Sequence, residues 1–234
     1  KSMSRSCDSQ YGWLPIGSDS NTPFRGIFLG DGHAVKNLIV NRPSSVAVGL
    51  FGNVHNALFD GLTMRNASVT GQYGVGAVAG AVITAGDNDR GEASFTGCRI
   101  EDCTVTSPST GAAVGGVLGA TDMHSRTLLS DCTVSGGTLS GGMNVGGITG
   151  GAGLYSSVTV SGCVNETPVT ASLSGAGGMI GTADTLQVVG CINTASIRGG
   201  VSPSDGMPAI GTGGIAGGSG FSWITGCTNS GPIT

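Results

Sequence analysis

Small and apolar residues recur along this chain in one short phrase. In mid-chain it reads Val145-Gly146-Gly147-Ile148-Thr149-Gly150. Earlier copies are Val48-Gly49-Leu50-Phe51-Gly52, Val75-Gly76-Ala77-Val78-Ala79-Gly80 and Val114-Gly115-Gly116-Val117-Leu118-Gly119. Later copies are Ala176-Gly177-Gly178-Met179-Ile180-Gly181 and Thr212-Gly213-Gly214-Ile215-Ala216-Gly217. The closing glycines fall at 52, 80, 119, 150, 181 and 217, a period of about thirty with variable insertions. Such self-similarity predicts stacked units, none of which buries its apolar side alone.

Between the phrases lie short β-branched runs bounded by glycine and serine, which read as strands and turns. The fourth unit runs from Cys132-Thr133-Val134-Ser135 through Gly136-Gly137-Thr138-Leu139-Ser140 and the phrase itself to Ser157-Val158-Thr159-Val160-Ser161-Gly162. No stretch keeps a 3.6-residue apolar period over a dozen positions, so helices are not expected. Ahead of the units, Trp13-Leu14-Pro15-Ile16 is a first apolar anchor. A strand is predicted over Phe24–Leu29, a turn over Gly30–His33 and a second strand over Ala34–Val40, since Asp-Gly before an alternating run favours a turn. Three short strands per unit predict an all-β fold, a parallel β-helix of about six irregular coils, stacked at roughly 4.8 Å. Glycine would turn its corners and let its sheets approach. Asn165, Asn193 and Asn229 are placed to cap backbone or to stack in ladders.

A second mark keeps the same period. Leu62, Cys98, Cys132, Cys163, Cys191 and Cys227 open successive units. Six or seven residues after each comes an apolar residue: Val69, Val105, Leu139, Val169, Ile197 and Ile233. The six openers are expected to form one inward column. Residues 1–11 read as a loose leader and 12–234 as a single domain. The start at Lys1-Ser2-Met3 and the end just past a repeat element suggest a piece of a longer chain.

These features resemble the GLUG repeat of bacterial secreted and surface proteins. The first phrase contains Gly49-Leu50-Phe51-Gly52 itself. The segment Phe24-x-Gly26-x-Phe28-x-x-Asp31-Gly32-His33-x-Val35-x-Asn37-Leu38 resembles the stretch that commonly precedes these repeats. The resemblance covers residues 12–234. It implies a right-handed parallel β-helix within a large cell-surface or secreted bacterial protein, adhesin-like or the non-catalytic part of an immunoglobulin-cleaving metallopeptidase. The repeat carries no catalytic residues, so none are transferred.

Composition narrows the function. Charged residues make up 10% of the 234 positions, against about 25% usually. Glycine, at 45 residues, is far above its usual share of about 7%. With a net charge of -4 and no basic run, nucleic acid is not an expected partner. No apolar run approaches the ~18 residues of a membrane helix.

Candidate chemistry is sparse. Seven cysteines in an extracellular chain invite disulfides. Side chains one coil apart, however, sit near 4.8 Å at Cβ, beyond the ~3.5–4.5 Å of a bridge. Buried free thiols are expected in the column, with Cys98 and Cys103 the one local pair and Cys7 alone. There is no CxxC for zinc. His33, His55 and His124 lie in no HExxH motif. Gly86-Asp87-Asn88-Asp89-Arg90-Gly91-Glu92 is the densest acidic patch. It lacks the full calcium-loop pattern and reads as a projecting, solvated insert over 84–95. Glycoside hydrolysis needs two placed carboxylates, and the acids are scattered over different units. Asp87, Asp89, Glu92 and Glu101 are the first candidates if turnover exists. Trp13 and Trp223 read as end-coil packing groups. Threonines do not form a Thr-x-Thr row in each unit, which argues against an ice-binding face.

The expected function is therefore a non-enzymatic module, adhesin-like or a stalk, without cofactor or metal. Its partner would be a host or matrix protein or a glycan. The alternative is a carbohydrate-active or carbohydrate-binding β-helix whose groove is lined by the insert 84–95. Paired carboxylates and stacked aromatics in a groove would mark the second reading; a shallow, uniform surface would mark the first.

Overall fold

The computed structural model describes residues 7, 8, 10–84, 89–200 and 211–234. The fold is all-β, and each repeat gives strands to three sheets that are parallel beyond the N-terminal end. The first sheet contains Ile39–Val48, Ser68–Gly76, Thr104–Thr106, Thr138–Gly146, Val169–Gly177 and Ile197–Arg198. The second contains Phe24–Leu29, Phe51–Asp60, Glu92–Thr96, Arg126–Ser130, Ser157–Ser161, Ile180–Val189 and Ala216–Thr225. The third has short strands, from Ala34–Lys36 through Arg99–Glu101 to Thr228–Asn229. The chain passes from the third sheet to the first, then to the second, and returns to the third one strand further along. Helix is absent among the described residues.

The glycine phrase is the corner between the first and second sheets. Val145-Gly146 ends one strand, Gly147-Ile148 bends, and Thr149 begins the next. Phrase stacks on phrase, with Val114 paired to Val75 and Val145, and Val145 to Ala176. The corner from the second sheet to the third is a file of left-handed residues. Gly61, Gly97, Asp131, Gly162, Gly190 and Gly226 all have φ between 54° and 63°. Five of the six are glycine because only it adopts this conformation without a Cβ penalty.

Inward files build the core, as the column of openers suggested. Leu62, Cys98, Cys132, Cys163 and Cys191 are buried, and Cys227 is half-buried at the end of the stack. Val69, Val105, Leu139, Val169 and Ile197 pair in register beside them. A third file starts aromatic and becomes aliphatic: Phe28, Phe59, Phe95, Leu129, Val160, Val188. Phe59 and Phe95 stack at 4.8 Å with planes 4° apart. Each fully buried side chain of this kind contributes roughly 1.5–3 kcal/mol. Asn165, Asn193 and Asn229 both cap and ladder: each amide nitrogen donates to the carbonyl two residues on, and the first two also donate to the next Asn oxygen.

Four expectations need correction. The strand expected over Ala34–Val40 is two, Ala34–Lys36 and Ile39–Val48, because Asn37 takes φ 56° and turns the chain between sheets. Strands are not uniformly short, since in the first two sheets several reach nine or ten residues. Within the leader 1–11, Cys7–Asp8 pairs antiparallel with Gly12–Trp13, while residues 1–6 and 9 lie outside the described set. Trp223 is not an end-coil packing group. It pairs with exposed Gln187 on the outer face, whereas its neighbour Ile224 pairs with buried Val188. Trp13 does pack against the core and donates its indole N–H to Leu50 O at 3.0 Å.

The six described cysteines are all free. Contact with the preceding thiol of the column, together with burial, pushes Cys163 and Cys191 well above the usual thiol range. Burial likewise raises Cys103 and Cys227. Thiolate is the reactive form, so these groups should be inert in the folded chain. With Cys7 replaced by serine, an aromatic disulfide reagent at pH 8 should label at most Cys227 in native protein and all six remaining thiols in denaturant. Rapid native labelling of several thiols would show that the column is open.

Candidate functional site

Strand alternation sends every second residue of the second sheet outward. One outward file reads Ile27, Leu58, Ser94, Leu128, Thr159, Gln187, Trp223. Beside it run Glu92, Arg126, Ser157, Thr185 and Phe221. The face is split in three consecutive repeats. The chain leaves the sheet between Val82 and Glu92, between Thr121 and Arg126, and between Ala152 and Ser157. The second and third excursions meet as a ridge beside the sheet. Tyr155 stacks on His124 across two of them, with centroids 5.2 Å apart, and its backbone N–H donates to Asp184 Oδ2 at 2.7 Å.

Against the ridge lies a shallow concavity of about 780 Å³. Its floor is Ile27, Leu58, Ser94 and Leu128, and its rim carries Arg90, Glu92 and Arg126. Glu92 is the one carboxylate among the described residues of the lining. Its Oε1 is 3.9 Å from an Arg126 guanidinium nitrogen, and its backbone N–H donates to Asn56 Oδ1 at 3.2 Å. Both charged side chains are well exposed, so the pair contributes little to stability. The lining contains no histidine or cysteine. Its described residues present apolar, hydroxyl and guanidinium contacts, and among them there is no second carboxylate or nucleophile–base pair.

The candidate residues named from sequence do not converge. Asp87 lies outside the described residues. Asp89 faces His55, Glu92 is on the concavity rim, and Glu101 pairs with Arg65 on the third sheet. The expected insert 84–95 is shorter, because Glu92–Thr96 is a strand of the second sheet. His33 is exposed in its turn, where its backbone N–H bonds Gly30 O. His124 is exposed on the ridge. His55 is fully buried; its Nδ1 is 2.8 Å from Ile83 O and its Nε2 is 3.1 Å from Asp89 Oδ2. Among the described residues, no three His, Cys, Asp or Glu side chains gather as a metal cluster.

Hydroxyls line the outer face of the first sheet in mixed files. Ser68, Thr104 and Thr138 form one, and Thr70, Thr106, Ser140 and Thr170 the next. Arg198 ends the second file. Sequence reasoning missed the concavity floor and Arg126. The available signal was parity: each lies one residue from an inward file position.

No protein-family profile matches the chain. Halomucin of Haloquadratum walsbyi is 34% identical over 128 residues, which is 53% of this chain and 1% of that protein. The chain thus corresponds to about one hundredth of that relative's length. Among solved structures, the Bacteroides ovatus protein titled "putative immunoglobulin A1 protease" superposes with a TM-score of 0.59 at 17% identity. That match covers 94% of this chain and 74% of the other. At such identity the likeness is one of fold.

Proposed function

We propose that the three sheets form a right-handed parallel β-helix of GLUG-repeat type, and that the chain is a non-enzymatic binding module of a bacterial extracellular protein. The observation that supports this reading is the chemistry of the concavity: among its described residues, exposed apolar side chains beside one carboxylate apposed to an arginine, on an open face. Partial similarity to a protein named as a mucin fits an extracellular setting. The binding face is the outer side of the second sheet, where Ile27, Leu58 and Leu128 stand exposed in one file.

The test is a panel of matrix proteins and host glycans, read by surface plasmon resonance, alongside a polysaccharide-degradation assay. Binding without turnover is expected. Leu128→Asp and Arg126→Glu should weaken it at least about tenfold with no change in Tm, as exposed substitutions away from the core usually do. Turnover of any polysaccharide would overturn the reading, as would binding that ignores both substitutions.

A glycan as the ligand is favoured by one further feature. Phe221 and Trp223 project side by side from the same face, 78% and 66% exposed. Exposed apolar rings of this kind stack on other flat surfaces. On this reading Trp223→Ala abolishes glycan binding but leaves protein ligands unaffected.

A further inference from the structure

The root of the insert holds a buried histidine that its surroundings do not satisfy. His55 is 0% exposed. Its Nδ1 faces the Ile83 carbonyl at 2.8 Å, so the ring proton sits there and Nε2 is left as a lone pair. Nε2 makes no hydrogen bond, although Asp89 Oδ2 is 3.1 Å away. In the neutral ring Nε2 carries no hydrogen, so proximity to a carboxylate oxygen does not become a hydrogen bond. A second orphan stands at the same root. Ser125 Oγ is buried without a partner, and the Cβ that Gly91 lacks would sit 3.1 Å from it and 2.0 Å from Ile83 O. Buried polar atoms left unpaired in one place point to a water or an ion.

We propose that His55 Nε2 and Asp89 Oδ2 together bind a divalent transition-metal ion of the zinc class, with water completing its shell. Two atoms bound to one zinc at about 2.0–2.2 Å, with an angle of about 95–110° between them, stand about 3.1–3.4 Å apart. The observed 3.1 Å falls in that range while failing as a hydrogen bond. The Ile83 carbonyl fixes the tautomer and ring plane, as carbonyls do for ligating histidines. An imidazole ligand selects zinc, nickel or copper over calcium or magnesium, which take oxygen. Asp89 is 48% exposed and gives the ion its way in. The ion would tie Asp89 to the strand Phe51–Asp60 and so place Arg90, the next residue, on the concavity rim.

The experiment is calorimetric titration of the whole chain with ZnCl₂, repeated with CoCl₂ while following visible absorption. One zinc should bind per chain, and cobalt should give a ligand-field band. Asp89→Asn should lower affinity roughly tenfold or more, and His55→Gln should abolish binding. Glu92→Gln should change nothing. Because His55 is buried its variant could unfold, and the exposed Asp89→Asn then decides alone. Absence of zinc binding by folded protein, or binding unchanged in Asp89→Asn, would overturn the site and leave an ion pair only.

Discussion

Gly146→Ala should lower Tm by about 6–12 °C, corresponding to about 3 kcal/mol at 2–4 °C per kcal/mol for a chain of this size. The added Cβ would fall 2.0 Å from Thr149 O, 2.7 Å from Gly181 N and 2.8 Å from Ile180 Cα. All three are backbone atoms of the same corner or the next. None can retreat without breaking the parallel ladder that pairs Val145 with Ala176 and Gly146 with Gly177. Overpacking against backbone is costlier than against a flexible side chain, which could rotate away. Gly111→Ala is the control: a Cβ there meets nothing within 4 Å. It should be neutral or slightly stabilising through the unfolded state. Thermal unfolding followed by circular dichroism measures both. Equal effects at 146 and 111 would mean that the phrase is not the close approach between sheets.

Asn193→Asp should cost about 3–5 kcal/mol at neutral pH. Asn193 is fully buried, and its amide nitrogen donates to Ala195 O at 3.0 Å and to Asn229 Oδ1 at 2.6 Å. Its own oxygen accepts from Asn165 Nδ2 at 2.8 Å. A carboxylate keeps the last bond but turns the first two into contacts between acceptors. Burial and those two oxygens would raise the new carboxyl above its unfolded value of about 3.9. The folded variant then holds its proton to higher pH than the unfolded chain. Its loss relative to wild type should be small below about pH 4 and grow as pH rises through the raised value. Comparing the Tm difference at pH 3.5 and pH 7 checks the sign. Asn229→Asp, at the exposed end of the ladder, should cost less. A pH-independent difference at 193 would show that the ladder is hydrated.

Most of the architecture was legible because stacking forces like onto like. An inward position one repeat away has the same neighbours and the same space, so Cys98, Cys132, Cys163 and Cys191 repeat where the core needs a small apolar group. The same logic made the asparagine ladder readable before its hydrogen bonds were seen. Corners were less legible. Asn37 turns the chain in the same left-handed region as Gly61, since Asn tolerates that region through its short polar side chain. Asn37 therefore did not register as the end of a strand. Trp223 was misplaced because size suggested burial, whereas parity with Ile224 and Val188 determines its direction. A groove beside residues 84–95 was anticipated, and Arg90, Glu92, Ala93 and Ser94 do line the concavity, but the rest of its floor was not legible because those residues come from successive repeats, 31 to 36 positions apart, and join only through strand register. His55 lies under an excursion of the following repeat, a long-range contact that no local pattern encodes.

The amino-acid sequence by itself determined the repeat, the strand-rich secondary structure, the inward column and the low share of charged residues. Each is a property of short stretches copied along the chain, set by local alternation, backbone freedom at glycine and residue volume. The tertiary structure decided which outward residues share a face, where the ridge stands, and which carboxylates meet a partner. Those outcomes depend on inter-strand register and on where insertions leave the sheet. A shift of one residue in pairing would carry Leu128, Arg126 and Trp223 to the opposite side without changing any local preference.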